Sequence, residues 1–127
     1  DHFKAVNDDH GHEVGDNVLV AVARGIQSVT RPHDLFVRVG GEEFALFTVV
    51  SSTRELTQIA ERVRHAVEGL ELDAPVTISV GGALRDPAAP LRLEDLMKAA
   101  DRQLYAAKAA GRNIVRVAGV SVGRTVS

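Results

Sequence analysis

Apolar residues recur at helical spacing in three stretches of the chain, and these stretches predict three helices. The first helix is expected over residues 16–30, with Asp16 as the residue that caps its N-terminus. The second opens on Ser52, which forms a capping box with Glu55. The third begins near Leu93, and Gly111 stands where a glycine commonly follows the end of a helix.

Between the helices, alternating and β-branched residues predict strands. Residues 35–39 and 42–50 flank Gly40-Gly41, which is the pattern of a β-hairpin with a two-residue turn. Residues 75–84 and 113–117 predict two further strands. We therefore expect an α/β (α+β) fold, with a central, mostly antiparallel sheet flanked by helices.

Composition limits the kind of protein this is. The chain has 127 residues, a formal charge of −2, 45% hydrophobic residues and no cysteine. One domain of this size can form its own core without disulfides or thiolate metal sites. The near-neutral charge excludes bulk attraction to a nucleic acid polymer, so any phosphate must be bound locally. No apolar stretch is long enough to cross a bilayer, and we expect a cytoplasmic domain whose parent could be membrane-anchored.

Three polar clusters could carry chemistry. The first places Glu42 and Glu43 directly after the glycine turn, where a ligand can approach the backbone closely. Neighbouring strand residues point to opposite faces, so the two carboxylates should not converge on one ion unless the strand is bulged. The alternative is that both carboxylates are simply solvated at the tip of the hairpin.

The second cluster covers residues 1–16, which are polar and glycine-punctuated and predict a ligand-binding loop. A carboxylate such as Asp16 can accept both donors on the guanine edge, and Asn7 can donate and accept beside it. His10 and His12 invite a zinc interpretation, but two histidines without a third ligand are usually not a zinc site.

The third cluster, Lys108 with Arg112, lies at the end of the last predicted helix. The helix dipole favours cations there in any protein, but the pair could also hold a polyphosphate.

Together the three clusters resemble the GGDEF domain of diguanylate cyclases, in its GGEEF variant. The match covers residues 1–117, and residues 118–127 are interpreted as a tail. The residues that carry it are Asp1 to Lys4, Asn7, Gly11-His12, Gly15-Asp16, Arg38 to Phe44, Val76 to Gly81, Ala100-Asp101, Leu104-Tyr105, Ala107-Lys108 and Gly111 to Asn113. The resemblance implies a nucleotidyl-cyclase-like fold and a homodimer that condenses two GTP molecules into cyclic dimeric GMP and two pyrophosphates.

The resemblance also implies residue roles. Glu42 is the Mg²⁺ (or Mn²⁺) ligand and the candidate base, with Glu43 and Lys4 as further catalytic residues. The implied substrate-binding residues are Asn7, His12, Asp16, Gly40, Gly41, Lys108 and Arg112. A sensor or receiver domain is expected upstream in the parent protein.

An Arg-x-x-Asp tetrapeptide precedes the hairpin. Arg31 lies eleven residues before Glu42, the spacing that the family uses for product inhibition. The resemblance therefore implies an inhibitory site for cyclic dimeric GMP at Arg31, Asp34 and Arg62. The alternative is a pair of surface charges at a helix end, which would contribute little to stability.

The family's opening motif is Asp-x-Asp-x-Phe-Lys, and Asp1 aligns with its second aspartate. We therefore expect an N-terminally truncated domain whose first metal-binding aspartate and opening strand lie upstream, and which is a poor cyclase as it stands. Two alternatives remain: a non-catalytic receptor for cyclic dimeric GMP, and a dimerisation module that binds no ligand.

Overall fold

The computed structural model describes residues 1–72, 74, 76–85, 92–121 and 124–126. The helices and strands follow one another in an α+β order, as the sequence predicts. They are α1 (Phe3–His10), α2 (His12–Gln27), β1 (Leu35–Gly40), β2 (Glu43–Phe47), α3 (Thr53–Glu68), β3 (Val80–Arg85), α4 (Leu93–Ala109), β4 (Val115–Ser121) and β5 (Arg124–Val126). No helix among these residues is long and apolar enough to cross a membrane.

The described strands form two small sheets. β1 and β2 pair as the predicted antiparallel hairpin. In the second sheet β4 lies between β3 and β5, parallel to β3 and antiparallel to β5. The parallel pair needs a long crossover, which α4 supplies. Two of the three strand pairs are thus antiparallel, but they do not share one central sheet within the described part of the chain.

Two adjacent glycines of β3 show which helix covers each face of the second sheet. A side chain at Gly81 would meet the backbone of α4, 2.1 Å from the nitrogen of Leu104. A side chain at Gly82 would instead point to Leu56 of α3, 3.4 Å from its Cδ2. Since neighbouring strand residues point to opposite faces, α4 and α3 cover opposite sides of β3.

The main core lies where α1, α2 and α3 meet. Its buried residues are aliphatic, and Val67 of α3 is fully buried. The group is Val6, Val18, Val22, Ile26, Val63, Val67 and Ala74. The apolar spacing on α2 and α3 that predicts helices is therefore the spacing that builds this core.

The largest error of the sequence prediction lies at the start of the chain. Residues 1–16 do not form a ligand-binding loop, since α1 occupies most of that segment and α2 already begins at His12. Asp16 is therefore inside α2 and does not cap it; Gly11, with φ 86°, occupies the N-cap position. Burial of Val6 against α2 gives α1 a packed face, and this outweighs its polar composition.

The other elements follow the prediction with shifted ends. Ser52 accepts a hydrogen bond from the Glu55 amide, which confirms the start of α3. Gly111 follows α4 with φ 117°, as a glycine in this position should. The predicted strand over residues 75–84 is regular only from Val80, and the predicted loop over residues 86–91 lies outside the described residues. β4 continues through Ser121, past the predicted boundary at residue 117.

Candidate active site

The hairpin turn presents its carboxylates to solvent. Gly41 has φ 50°, a conformation that glycine adopts without strain, and the Arg38 Nε donates to its carbonyl oxygen at 2.7 Å. Glu42 lies in the turn and Glu43 is the first residue of β2, and both are exposed. The register shifts between Arg38 and Gly40, so the extra residue lies on β1 and not on the strand that Glu43 opens.

Asp1 joins the start of the chain to two distant segments. Its Oδ1 accepts from the Ser79 hydroxyl at 2.7 Å, and its Oδ2 accepts from the Thr77 hydroxyl at 2.9 Å. The same Oδ2 also accepts from the Asn113 amide at 3.1 Å, and the Asp1 nitrogen donates to the Thr77 carbonyl at 3.0 Å. Both carboxylate oxygens are thus engaged, and Asp1 is a structural link and not a free ligand.

The charges of three predicted site residues influence the pKa of the Asp1 amino group. Burial and the positive charge of Lys108 lower the pKa of the Asp1 amino group below its ordinary 8.0. The negative charge of Glu42 opposes this shift, and the positive charge of Arg112 adds to it. Glu42, Lys108 and Arg112 therefore all influence the same group electrostatically, although they are far apart in sequence.

Asn7 lies half-buried on α1 with its side chain against α2. Its Oδ1 is buried and has no hydrogen-bond partner in the described part of the chain. A Cβ atom at Gly15 would lie 1.8 Å from that oxygen, so only glycine allows the amide to sit there. An unpaired buried acceptor costs about 1–3 kcal/mol.

The remaining predicted substrate residues lie on the same two helices. Lys4 is in the first turn of α1, and His12 and Asp16 are one turn apart on α2; all three are exposed. Asp16 lines a groove of about 450 Å³ between α2 and the hairpin, beside Arg38. Within the described residues no hydrogen bond or ion pair joins Lys4, His12 or Asp16 to another predicted site residue.

The donors for a metal ion are few. Among the residues that the structure describes, no group of three or more His, Asp or Glu side chains could hold an ion. His10 and His12, which invited the zinc interpretation, are both exposed; His10 is the last residue of α1 and His12 is the first residue of α2. Glu42 is the one metal ligand that the sequence predicts within the described residues, and by itself it leaves a Mg²⁺ site short of carboxylates.

Arg31 and Asp34 form a folded turn and are more than a surface pair. The Asp34 side chain is 4% exposed, and it accepts from the Arg31 amide at 2.9 Å and from the Thr48 hydroxyl at 2.6 Å. Burial alone would raise the pKa of Asp34, but these hydrogen bonds and the Arg31 charge lower it below 3.8. The alternative of a weak solvated pair is therefore wrong for Asp34.

The Arg31 side chain bridges the turn to the neighbouring elements. Its Nη2 donates to the Val49 carbonyl at 2.8 Å and to the Thr48 hydroxyl, and its Nη1 lies 3.8 Å from a Glu55 oxygen at the start of α3. Arg62 lies two helical turns beyond Glu55 on the same face of α3 and is exposed. Arg62 makes no ion pair or hydrogen bond within the described residues.

Sequence analysis missed the residues that connect the site. It assigned no role to the Asp1 carboxylate, to Ser79 or to Asn113, although all three lie within the quoted motifs. Alternation would have placed Thr77 and Ser79 on one face of an extended segment. Their common partner lies 76 and 78 residues away, which no local pattern reveals.

Known proteins with similar sequences and structures agree on the family. The model for the diguanylate cyclase GGDEF domain matches residues 1–114. The probable diguanylate cyclase DgcT of Escherichia coli is 44% identical over 124 residues, which cover 92% of this chain and 27% of DgcT. The diguanylate cyclase VdcA of Vibrio cholerae is 41% identical and matches 91% of this chain and 36% of its own length. The chain thus spans about a quarter to a third of these relatives.

Solved structures match over most of the fold. The GGDEF domain of DgcB from Caulobacter crescentus, solved with c-di-GMP, has a TM-score of 0.84 and 35% identity; the match covers 92% of this chain and 72% of that one. The active GGEEF domain of a Vibrio cholerae diguanylate cyclase has a TM-score of 0.80 and 31% identity, over 92% and 76% of the two chains. The family model and these relatives show that the chain belongs to the GGDEF domain family of diguanylate cyclases.

Proposed function

We propose that this chain is the catalytic domain of a diguanylate cyclase, which converts two GTP molecules into cyclic dimeric GMP (c-di-GMP) and two pyrophosphates. The observation that carries the proposal is the glycine turn that leaves Glu42 exposed, in a chain whose residues 1–114 match the GGDEF domain. An accessible base is what an attack by a hydroxyl on a phosphate requires, and Lys108 and Arg112 are the cations that would bind the phosphates. The names of DgcT and VdcA support the same reaction.

In the proposed reaction the 3′-hydroxyl of each GTP attacks the α-phosphorus of the other. Each new O–P bond replaces the bond to the bridging oxygen, so one pyrophosphate leaves for each bond formed. Glu42 takes the hydroxyl proton, and its exposure on the turn gives a second nucleotide access to it. Glu43 lies beside it at the start of β2 and adds a second negative charge to the turn.

Cations of this chain bind the phosphates. Lys108 and Arg112 hold the triphosphate, Arg112 through its forked guanidinium and Lys108 as a point charge. Lys4 stabilises charge that develops in the transition state, and Gly40 and Gly41 leave room for the nucleotide, since nothing lies within 4 Å of a Cβ on either one. Glu42 would also hold Mg²⁺ or Mn²⁺, which when bound neutralises charge on the phosphates.

The nucleoside lies at α1 and α2 in this proposal. The half-buried Asn7 side chain, whose amide is held against Gly15, contacts guanine through that amide. Asp16 accepts from the remaining guanine donors, and His12, one turn earlier on α2, contacts the ribose side. One domain holds one GTP, so two copies must face each other to complete the reaction.

The direct test is incubation of the full-length protein with GTP and Mg²⁺. We expect c-di-GMP and pyrophosphate in a ratio of one to two, with a rate that rises more steeply than linearly with protein concentration. Nucleotide analysis by chromatography and a coupled pyrophosphate assay measure both products. Binding of c-di-GMP without formation of either product would instead establish the non-catalytic receptor.

Replacement of Gly15 by alanine tests the guanine site without touching a charged residue. The new methyl group must displace the Asn7 amide, so we expect GTP affinity to fall about three- to tenfold, the value of one hydrogen bond. Calorimetric titration with a GTP analogue measures it. The control is Gly25→Ala on the same helix, whose methyl group meets only the Leu70 side chain at 3.3 Å. Equal affinities for the two variants would remove Asn7 from the site.

We also infer product inhibition at Arg31, Asp34 and Arg62. The buried Asp34 and its hydrogen bonds hold the Arg31 guanidinium beside α3. Arg62, further along that helix, offers a second guanidinium that makes no hydrogen bond or ion pair with any other described residue. Two guanidinium groups suit a dinucleotide, because each can bind a phosphate or the edge of a guanine.

Arg62→Ala is the cleaner test of that inhibitory site, because Arg31→Ala would also break contacts with Asp34, Thr48 and Glu55. Loss of a charged hydrogen bond should weaken c-di-GMP binding about tenfold or more. Isothermal titration with c-di-GMP measures it. Arg54→Ala removes an exposed arginine from the first turn of α3 and should leave the affinity unchanged. If Arg62→Ala binds c-di-GMP as tightly as Arg54→Ala, Arg62 is not part of the site.

A further inference from the structure

The turn after α4 has an unusual backbone. Gly111, Arg112 and Asn113 all have positive φ, at 117°, 64° and 49°. Glycine adopts such angles readily and asparagine tolerates them, but an arginine does so only when its surroundings hold it there. Arg112 is the residue that the proposed function assigns to the triphosphate. The contacts that hold this turn therefore bear on phosphate binding.

Asn113 is held from two sides. Its backbone amide donates to the Asp1 carboxylate at 3.1 Å. Its side-chain Oδ1 accepts from the Arg64 guanidinium at 3.0 Å, and its Nδ2 donates to Glu68. The turn is thus fixed to the start of the chain on one side and to α3 on the other.

The Arg64 side chain that contacts Asn113 is itself held in place by two glutamates. Its side chain is 14% exposed, and it lies 2.9 Å from a Glu61 oxygen and 3.3 Å from a Glu68 oxygen. The hydrogen bond from Asn113 is the largest influence that lowers the pKa of Glu68. Because Glu61 and Glu68 fix the direction of the guanidinium, the position of Asn113 relative to α3 is also fixed.

We propose that Asn113 is a positioning residue that aims Arg112 at the triphosphate of bound GTP. The inference rests on the proposed function and deepens it, because it names what orients a phosphate-binding side chain. Asn113 combines two properties that this position uses: it accepts a left-handed backbone, and its amide pairs with both Arg64 and Glu68.

The experiment compares the full-length wild-type protein with Asn113→Ala, Asn113→Gly, Arg112→Ala and the Arg112→Ala/Asn113→Ala double variant. Affinities are measured for guanosine and for a GTP analogue with a methylene group between its α and β phosphorus atoms, which cannot release pyrophosphate. We expect Asn113→Ala to weaken analogue binding about tenfold and to leave guanosine binding unchanged. Asn113→Gly, which keeps the backbone freedom but loses the amide, should fall between wild type and Asn113→Ala.

The double variant separates positioning from general stability. If Asn113 acts through Arg112, the Asn113→Ala change costs no further analogue affinity once Arg112 is absent. Arg64→Gln should weaken binding of the analogue severalfold. Arg54→Gln, on the same helix but outside the contact with Asn113, should leave that binding unchanged. Thermal unfolding of each variant shows whether it is folded.

The outcomes are distinguishable. If Arg112→Ala loses affinity for the analogue and Asn113→Ala does not, the positioning role is overturned and the proposed function still stands. The positioning role is also overturned if Asn113→Ala weakens the binding of guanosine and of the analogue equally. The same holds if the losses of analogue affinity are fully additive in the double variant. Unchanged analogue affinity in Arg112→Ala overturns the assignment of Arg112 to the triphosphate and the positioning role with it.

Discussion

Glu42→Gln should reduce formation of c-di-GMP by the full-length protein about 10²- to 10⁴-fold, the usual contribution of a general base. The amide keeps the size of the side chain but cannot take the proton from the 3′-hydroxyl. If Glu42 holds Mg²⁺ as proposed, the change would also weaken that ligand, because a neutral amide oxygen replaces a carboxylate. Glu42 is exposed at the tip of the hairpin, so the loss should come without a loss of stability.

The measurement is the initial rate of pyrophosphate release at saturating GTP and Mg²⁺, with the thermal unfolding midpoint as the check on folding. Glu71→Gln is the matched control, because Glu71 is also exposed and lies outside the site. It should retain the wild-type rate. A Glu42→Gln protein with the rate of Glu71→Gln would show that another group accepts the proton, and Glu43 would be the next candidate.

The hairpin was predictable because its signals are local. Gly40 and Gly41 mark the turn, and the residues on either side have strand character, so the sequence determines both the element and its position. The exposure of Glu42 follows from its place in the turn. Here the neighbours in sequence are also the neighbours in space, which is the condition under which pattern analysis works best.

The first helix was not predictable in the same way. Its sequence contains Asn7, Asp8 and Asp9, which favour turns and caps over helix interiors. What stabilises α1 is the packing of Val6 in the core and the close approach of Asn7 to Gly15. Those contacts belong to the tertiary structure. Because of them α2 begins at His12 and not at Asp16, where the sequence predicts its start.

The connections of the site were equally hidden. The bond from the Asn113 amide to Asp1 spans 112 residues, and the contact of Asn113 with Arg64 spans 49. A motif identifies Lys108 and Arg112 as cations near a helix end, but only the fold shows that Asp1 and α3 hold the turn between them. The family resemblance supplied the roles, and the structure supplied the contacts that support them.

The approach of β3 to α4 carries the largest stability prediction, and it also bears on the site, because α4 presents Lys108. At Gly81 an added Cβ would lie 2.1 Å from the Leu104 nitrogen, 2.4 Å from the Ala100 oxygen and 2.5 Å from the Leu104 Cα. All three are backbone atoms of α4, which cannot move without shifting the whole helix. An overpacked contact lowers the free energy of unfolding most when movement of side chains cannot relieve it.

Gly81→Ala should therefore lower the free energy of unfolding by about 3 kcal/mol or more, and the unfolding midpoint by about 10 °C or more. Gly82→Ala is the control on the adjacent residue, because its methyl group would meet only side chains, Val117 at 3.3 Å and Leu56 at 3.4 Å. It should cost less than about 1 kcal/mol, since side chains can give way. Denaturant titration of both variants measures the difference. Equal stabilities would mean that α4 moves away from β3 at little cost, and the packing that orients the Lys108 end of α4 would then be looser than the distances at Gly81 require.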